Sequence, residues 1–292
     1  MENKIYKLFD TFCYNGEEIA LYHIEYLYDI VDKFVIVESR ETHSGHIKPF
    51  LYCEQNAQLF EPYKNKIEFL IIDTFNIIKE SFENWSPEIW MSHLAYESWC
   101  REQYQRNYAY TYLQNQSGPY YIYSGDVDEI PNRDILSEFK NGFTNDYKYK
   151  SITDAIYLEM DFFYYNFKWI KLYKWYHAYI TTDECLKKYS LNELRISSHK
   201  NKHIKNAGWH CSFFQSYENI KRKCESFAHR ECDQNQYKTQ EHIHNCFING
   251  IDLFNRGLLE NLKPFTVTYT LPYGWEKIQN LILELQQERT ND

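Results

Sequence analysis

The sequence predicts an α/β protein with a mostly parallel, doubly wound central sheet. Apolar runs of strand length alternate with amphipathic helical segments through the first 135 residues. Those helical segments are long enough to cross back over a sheet, which is how parallel strands are connected. Beyond residue 150 the pattern changes to aromatic-rich strands and loops. The second half of the chain is therefore expected to add β structure to a sheet that the first half begins.

Four predicted strands and two predicted helices make up the first half. KIYKLFDTFCY is the first strand, EEIALYHIEYLYDIV is an amphipathic helix, and KFVIVES is a second strand parallel to the first. KIEFLIID, residues 66–73, is the third strand. A long helix is expected over residues 91–116, ended by Gly118 and Pro119, and YYIYSGDVDEIP is the fourth strand. Ligands of such sheets bind beyond the carboxyl ends of the strands, so the residues there are the candidate site.

The second half begins with SITDAIYLEMDFFYYNFKWIK, an alternating aromatic strand. A loop-rich stretch is expected over residues 187–208, followed by GWHCSFF, a helix in NIKRKCESFAHRE and a last helix in WEKIQNLILELQQE. The aromatic block 162–175 is expected to be half core and half binding cleft. No repeat or linker divides the sequence, so we expect one domain of residues 1–292.

Composition excludes several functions. The formal charge of -9 and the pI of 5.7 leave no basic field for nucleic acid. The eight cysteines contain no CxxC pair, which indicates reduced thiols rather than a zinc site or a disulfide framework. No apolar leader and no run of the ~18 apolar residues needed to span a membrane occur. We therefore expect a cytoplasmic protein without a transmembrane segment.

Acidic side chains follow the fourth strand directly. Asp126 and Asp128 come after an apolar run and Gly125, and Pro131 stops the strand again. Two carboxylates at a strand end can converge on one ion, one directly and one through water, and such hard oxygen ligands suit Mn²⁺ or Mg²⁺. The ion would in turn hold a diphosphate. The alternative is that one of the two aspartates caps a short helix that starts near residue 132.

Five ordered segments resemble glycosyltransferase family 17. They are VDKFVIVESRETHSGHIKPF at residues 31–50, RNYAY from residue 106, SGDVDEIP at 124–131, AGWHCSFF at 207–214 and SFAHRE at 226–231. The resemblance implies a GT-A type nucleotide-sugar fold with a DxD motif, a divalent metal, a UDP-sugar donor such as UDP-GlcNAc, inversion at the anomeric carbon and a role of the N-glycan-processing kind. It also implies a nucleotide-sugar-binding half at residues 1–135, an acceptor and catalytic half at 136–260 and a helical tail at 261–292.

The resemblance further implies roles for single residues. The nucleotide sugar would be bound by Phe9, Asn15, Glu38, Arg40, Thr42, His43, Arg106 and Asp126, and the metal by Asp126, Asp128 and His210. Alternatives stay open for several of them. Glu38 could be a strand-end acid beside Arg40, the run from Arg40 to Ser44 a solvated turn, and Arg106 a partner of Glu102 four residues earlier. His210 could be structural, and His229 is a weaker candidate ligand.

Inversion by direct displacement needs a carboxylate that takes the proton of the attacking hydroxyl. Asp154, Glu159, Asp161 and Glu231 are available, and spacing does not select among them. We name Asp161 and Glu231 as catalytic candidates, with an ion pair to Lys168 or Lys171 as the alternative for Asp161.

The leading functional hypothesis is a metal-dependent inverting glycosyltransferase that moves GlcNAc, or a related sugar, from a UDP-sugar to a glycan or glycoconjugate. A non-catalytic sugar-binding protein on the same fold and a metal-dependent nucleotide-sugar phosphohydrolase are the alternatives.

Overall fold

The protein is described by a computed structural model that covers residues 6–76, 93–142, 155–198, 203–257, 262–265 and 271–287. Asp154 lies outside these ranges, as does the start of the predicted long helix. The strands in the described ranges are β1 (Lys7–Cys13), β2 (Lys33–Ser39), β3 (Ile67–Ile72), β4 (Tyr120–Ser124), β5 (Glu129–Pro131), β6 (Ile156–Tyr164), β7 (Asn166–Ile170), β8 (Tyr179–Thr182), β9 (His203–Ser212) and β10 (Lys263–Pro264).

Helices follow the strands in the order expected of an α/β fold. In the described ranges they are α1 (Ile19–Leu27), α2 (Tyr52–Gln55), α3 (Ala57–Phe60), α4 (His93–Tyr108), α5 (Tyr110–Leu113), α6 (Arg133–Lys140), α7 (Asp183–Leu186), α8 (Leu191–Ile196), α9 (Tyr217–Ser226), α10 (Gln240–Asn249) and α11 (Trp275–Gln287). Short 3₁₀ turns lie at Glu61–Lys66, Arg230–Cys232 and Asn235–Tyr237.

The four strands of the first half form the predicted parallel sheet, in the order β4-β1-β2-β3. β1 and β2 are buried along most of their length because helices cover both faces of a parallel sheet. The predicted α/β class is confirmed, and β1, β2 and β3 lie where strands were predicted. The predicted fourth strand, residues 120–131, is instead divided, because the acidic turn ends β4 at Ser124 and β5 pairs with β9. Their carboxyl ends meet at one edge of the sheet, where β1, β2 and β4 lead into the candidate site.

The second half extends the same sheet with mixed strands. β8 pairs antiparallel with β4 and β6, while β9 runs parallel to β6 and antiparallel to the short β5. The stretch 187–208, predicted to be rich in loops, contains α8 and the first half of β9. Helix α8 begins with a capping box in which Ser190 and Glu193 exchange side chain to backbone hydrogen bonds.

Two apolar clusters cover the faces of the sheet, and a third, rich in aromatic rings, lies beside β6 and β9. All eight cysteines are free thiols, as predicted. Among the described residues, no helix combines the length and the apolar character that a membrane span requires.

Candidate active site

A cavity of about 770 Å³ opens at the carboxyl ends of β1, β2 and β4. One wall comes from the first half of the chain, through the loops after β1 and β2 and through α4. The opposite wall comes from aromatic residues of the second half, which include Phe162, Tyr164, Tyr173, Trp175 and Phe213. The volume is in the range of small-molecule sites, which bind ligands in clefts of roughly 300–1,000 Å³.

The acidic turn between β4 and β5 forms the floor of this cavity. Asp126 and Asp128 both line it. Neither of them caps α6, because the N-cap is Asn132, whose side chain accepts from the backbone N–H of Asp134. The capping alternative is therefore wrong, and the two carboxylates are available to other partners.

Asp126 lies between two arginines. Its Oδ1 accepts from Arg106 Nη1 at 3.0 Å, and its Oδ2 accepts from Arg195 Nη2. Arg106 also donates to Glu102 at 2.9 Å, so this arginine makes both of the contacts that the sequence left open. Burial alone would raise the pKa of Asp126, but the charges of Arg195 and Arg106 hold it below its ordinary value. Asp126 is therefore ionised at neutral pH.

Glu129 fixes Arg195 in place. Both oxygens of this fully buried carboxylate accept from the guanidinium, at 3.0 and 2.9 Å, which is the bidentate arrangement that arginine favours. The indole N–H of Trp175 and the backbone N–H of Asp126 also donate to Glu129. A Cβ on Gly125 would lie 2.7 Å from the Tyr123 hydroxyl and 2.8 Å from Oε2 of Glu129. Glycine at this position therefore lets the backbone pass close to both side chains.

Asp128 has a different set of partners. Its Oδ2 accepts from Lys223 Nζ at 2.8 Å, and its Oδ1 lies 3.5 Å from His210 Nε2. Burial would raise the pKa of Asp128, but Lys223 and His210 lower it well below its usual range. Register explains the place of His210, because β9 pairs it opposite Glu129. Its ring stacks on Phe162 at 4.5 Å between centroids.

The predicted nucleotide-binding residues divide into two groups. Asn15, Thr42, His43, Arg106 and Asp126 line the cavity. His43 donates from Nε2 to Gln105 Oε1 at 2.8 Å, because the amide nitrogen of Gln105 donates to the carbonyl of Val37.

Three other predicted residues lie away from the cavity lining. Phe9 packs in the core, and Arg40 pairs with Asp73 at the surface. Glu38 is fully buried and accepts from Lys48 and from the backbone N–H groups of Tyr52 and Cys53, at 2.6 to 2.8 Å. Its contacts are those of a structural anchor for α2, because the acid fixes the start of that helix.

Of the two candidate catalytic residues, only one lines the cavity. Asp161 is buried and ion-paired with Lys174 rather than with Lys168 or Lys171, and it is not among the residues that line the cavity. Glu231 lines the cavity and accepts from His229 Nδ1 at 2.7 Å. Of the two, Glu231 alone lies where an acceptor could reach it.

Comparison with known proteins agrees with this geometry. Residues 1–263 match the family model described as Glycosyltransferase family 17. The chain belongs to glycosyltransferase family 17. Its membership supports glycosyl transfer as the activity. A search of curated proteins found no match.

Arg195, Lys223 and Trp175 are three cavity residues of this family 17 glycosyltransferase that contact the carboxylates of the acidic turn and its neighbour Glu129, and the sequence did not single them out. Arg195 lies on α8. The sequence SLNE at residues 190–193 has the pattern of a capping box and could have predicted the start of this helix. Lys223 lies on the predicted helix α9, but nothing in the sequence places it against Asp128, 95 residues earlier. Trp175 lies in the predicted aromatic block.

A divalent metal fits one part of the site. Asp128 Oδ1 and His210 Nε2 are 3.5 Å apart, and two ligands of a Mg²⁺ ion at about 2.1 Å each lie roughly 3–4 Å from one another. His210 Nδ1 is buried and has no hydrogen-bond partner among the described residues, so this ring lacks the acceptor that usually orients a metal-bound histidine. No group of three or more His, Cys, Asp or Glu side chains with metal-binding geometry occurs in the described ranges. Water and phosphate oxygens would complete the shell, as is usual for Mg²⁺.

Proposed function

We propose that this protein is a metal-dependent inverting glycosyltransferase that moves GlcNAc from UDP-GlcNAc to a hydroxyl of a glycan or glycoconjugate. One observation carries the proposal. Asp126, Asp128 and His210 line the same cavity as three cationic side chains, Arg106, Arg195 and Lys223. A donor diphosphate needs cations beside it, and because each of these three is paired with a carboxylate, a bound divalent metal would add the further positive charge.

The chain's own residues would act on the leaving group. Lys223 and Arg195 are oriented by Asp128 and Glu129, so they are preorganised before the substrate binds. Fixed cations aimed at developing negative charge lower the barrier without reorganisation during the reaction. A Mn²⁺ or Mg²⁺ ion held by Asp128 and His210 would add Lewis-acid stabilisation of the departing diphosphate.

The acceptor would occupy the aromatic side of the cavity. Phe162, Tyr164, Tyr173 and Trp175 line it, whereas Phe163 and Tyr165 are buried in the core. Aromatic side chains offer flat apolar faces to sugar rings, and the tyrosines add a polar tip. This division supports an acceptor cleft in the aromatic block.

Calorimetric titration with UDP-GlcNAc, UDP-glucose and UDP-galactose, with and without Mn²⁺, tests the proposal. We expect metal-dependent binding of UDP-GlcNAc that is lost in Asp128→Ala. Asp73→Ala is the matched control, because Asp73 also follows a strand but is exposed and pairs only with Arg40 in the described part of the chain. Absence of UDP-sugar binding under every metal condition would overturn the proposal.

Product analysis separates transfer from hydrolysis. The protein is incubated with UDP-GlcNAc and alkyl glycosides of mannose, galactose and GlcNAc. We expect a product in which GlcNAc is attached to one of these glycosides and the configuration at the anomeric carbon of the transferred GlcNAc is inverted. Release of free GlcNAc or GlcNAc phosphate with every acceptor would favour the phosphohydrolase, and binding without any turnover would favour the sugar-binding protein.

A further inference from the structure

His229 and Glu231 form a pair at the wall of the cavity. Both line it, and Nδ1 of His229 lies 2.7 Å from Oε1 of Glu231. They lie just after α9, at the start of the 3₁₀ turn Arg230–Cys232, whose N-cap is His229. The pair is half exposed, so an acceptor can reach it.

The hydrogen bond fixes the tautomer of His229. An ionised carboxylate only accepts, so Nδ1 carries the proton. In the neutral ring Nε2 therefore keeps its lone pair, and no hydrogen bond occupies Nε2 among the described residues. A base held in this way by a carboxylate is the arrangement that orients histidine in nucleophile activation.

Helix α4 relates this pair to the acidic turn. Trp99 packs edge-on against His229, with ring centroids 4.7 Å apart. Arg106, which binds Asp126, lies seven residues later on the same helix. Seven residues are two helical turns, so Trp99 and Arg106 share a face and are separated by about 10 Å. This separation leaves room for a sugar between the leaving-group end and His229.

We infer that His229 is the general base of the transfer and that Glu231 is a positioning residue that fixes its tautomer. The inference rests on the proposed function and identifies the base of that reaction. Nε2 takes the proton of the acceptor hydroxyl while the hydroxyl oxygen bonds to the anomeric carbon. The bond from that carbon to the diphosphate oxygen breaks, and its electron pair leaves with the diphosphate. The imidazolium that results is stabilised by Glu231.

The ring's surroundings set the expected pH dependence. In the described part of the chain, Glu231 is the one charged side chain paired with His229, and the other ring contacts are Trp99 of α4 and Phe227. Loss of the Glu231 charge makes the imidazolium less stable. The acid limb of the pH–rate profile should therefore move to lower pH in Glu231→Gln.

Steady-state kinetics with UDP-GlcNAc, Mn²⁺ and the panel of alkyl glycosides test the assignment. If none of the glycosides is an acceptor, the rate of UDP-GlcNAc hydrolysis, in which water is the acceptor, is measured instead. We expect His229→Gln to lower kcat by about 10²–10⁴, the usual contribution of a general base, with donor binding by calorimetry unchanged. Glu231→Gln should lower kcat less and shift the acid limb. His46→Gln, which changes an exposed histidine outside the cavity lining, should behave as the wild type.

Nitrogen-15 NMR of the neutral His229 ring provides a readout that does not depend on activity. We expect the proton on Nδ1 in the wild type and a mixture of tautomers in Glu231→Ala. A wild-type proton on Nε2 would overturn the inference. So would a His229→Gln variant with near wild-type kcat, or a Glu231→Gln variant more damaged than His229→Gln, because Glu231 would then be the base itself. Failure of the wild type to bind any UDP-sugar would instead be a failure of the proposed function.

Discussion

His23 donates from Nδ1 to the carbonyl oxygen of Val127 across 2.9 Å. Val127 lies between Asp126 and Asp128, so this buried histidine of α1 supports the acidic turn from beneath. Its Nε2 lies 2.8 Å from Oδ2 of Asp10 in β1. Burial would lower the pKa of His23, but Asp10 raises it above its ordinary value, while burial raises the pKa of Asp10. The pair ties the floor of the cavity to the centre of the sheet.

Removal of one member of this pair should be costly. His23→Phe leaves the carboxyl of Asp10 buried without its partner, and breaking a buried ion pair costs about 3–5 kcal/mol. The double variant Asp10→Leu/His23→Phe removes both polar groups and should be less destabilised than His23→Phe alone. Urea unfolding measures both. Additive losses in the double variant would show that the two groups do not interact.

Arg195 should matter for both stability and turnover. Arg195→Met leaves Glu129 buried without its bidentate partner and should cost about 3–5 kcal/mol in the free energy of unfolding. Arg195→Lys keeps the positive charge but cannot make the bidentate contact with Glu129. It should therefore retain part of the stability and have a lower kcat than the wild type. Arg133→Met is the control, since Arg133 pairs with the exposed Asp29 at 3.5 Å and such a pair is worth at most about 1 kcal/mol. Equal losses in Arg195→Met and Arg133→Met would contradict the prediction.

The parallel half of the fold could be predicted because its signals are local. β1 to β3 are apolar runs of strand length bounded by polar or turn residues, and each lies close to its predicted range. The start of β4 is predicted as well, but the predicted strand runs on to residue 131, whereas β4 ends at Ser124. The acidic turn could be predicted for the same reason. Asp126 and Asp128 follow β4 directly, so they had to lie at the edge where parallel strands end.

The partners of these carboxylates could not be predicted. Arg195 meets Asp126 across 69 residues and Lys223 meets Asp128 across 95, and both contacts exist only because β8 and β9 return beside β4 and β6. Glu38 shows a second limit of prediction from sequence. A strand-end acid resembles a ligand-binding residue in sequence, yet α2 turns its first N–H groups toward that carboxylate.

Gly208 should be intolerant of a side chain. A Cβ at this position would lie 2.4 Å from the carbonyl oxygen of Ile130, a backbone atom of the paired strand β5. Gly208→Ala should therefore separate β5 from β9, shift His210 and weaken Mn²⁺-dependent donor binding. A Cβ on Gly118 meets nothing within 4 Å, so Gly118→Ala should cost only the left-handed backbone penalty of about 1–2 kcal/mol. Comparable donor affinity in both variants, measured by calorimetry, would contradict this prediction.

Asp252 should contribute a pH-dependent part of the stability. It accepts from Lys171 Nζ at 3.2 Å and from Arg256 Nε at 3.1 Å. Burial would raise the pKa of Asp252, but Arg256 and Lys171 hold it below its ordinary value. A carboxyl with a depressed folded-state pKa stabilises the fold above its unfolded pKa of about 3.9, and that contribution is lost as the pH falls toward the folded value.

Asp252→Asn should therefore be less stable than the wild type at pH 7, by about 1–3 kcal/mol for lost charged hydrogen bonds. The difference in the free energy of unfolding should narrow as the pH falls below about 4, because the unfolded carboxyl binds a proton there before the folded one does. Urea unfolding across this range measures the difference. Asp29→Asn, at an exposed carboxyl, should stay within about 1 kcal/mol of the wild type throughout. A difference between Asp252→Asn and wild type that stays constant from pH 7 to pH 3 would mean that the charge of Asp252 does not stabilise this half of the sheet.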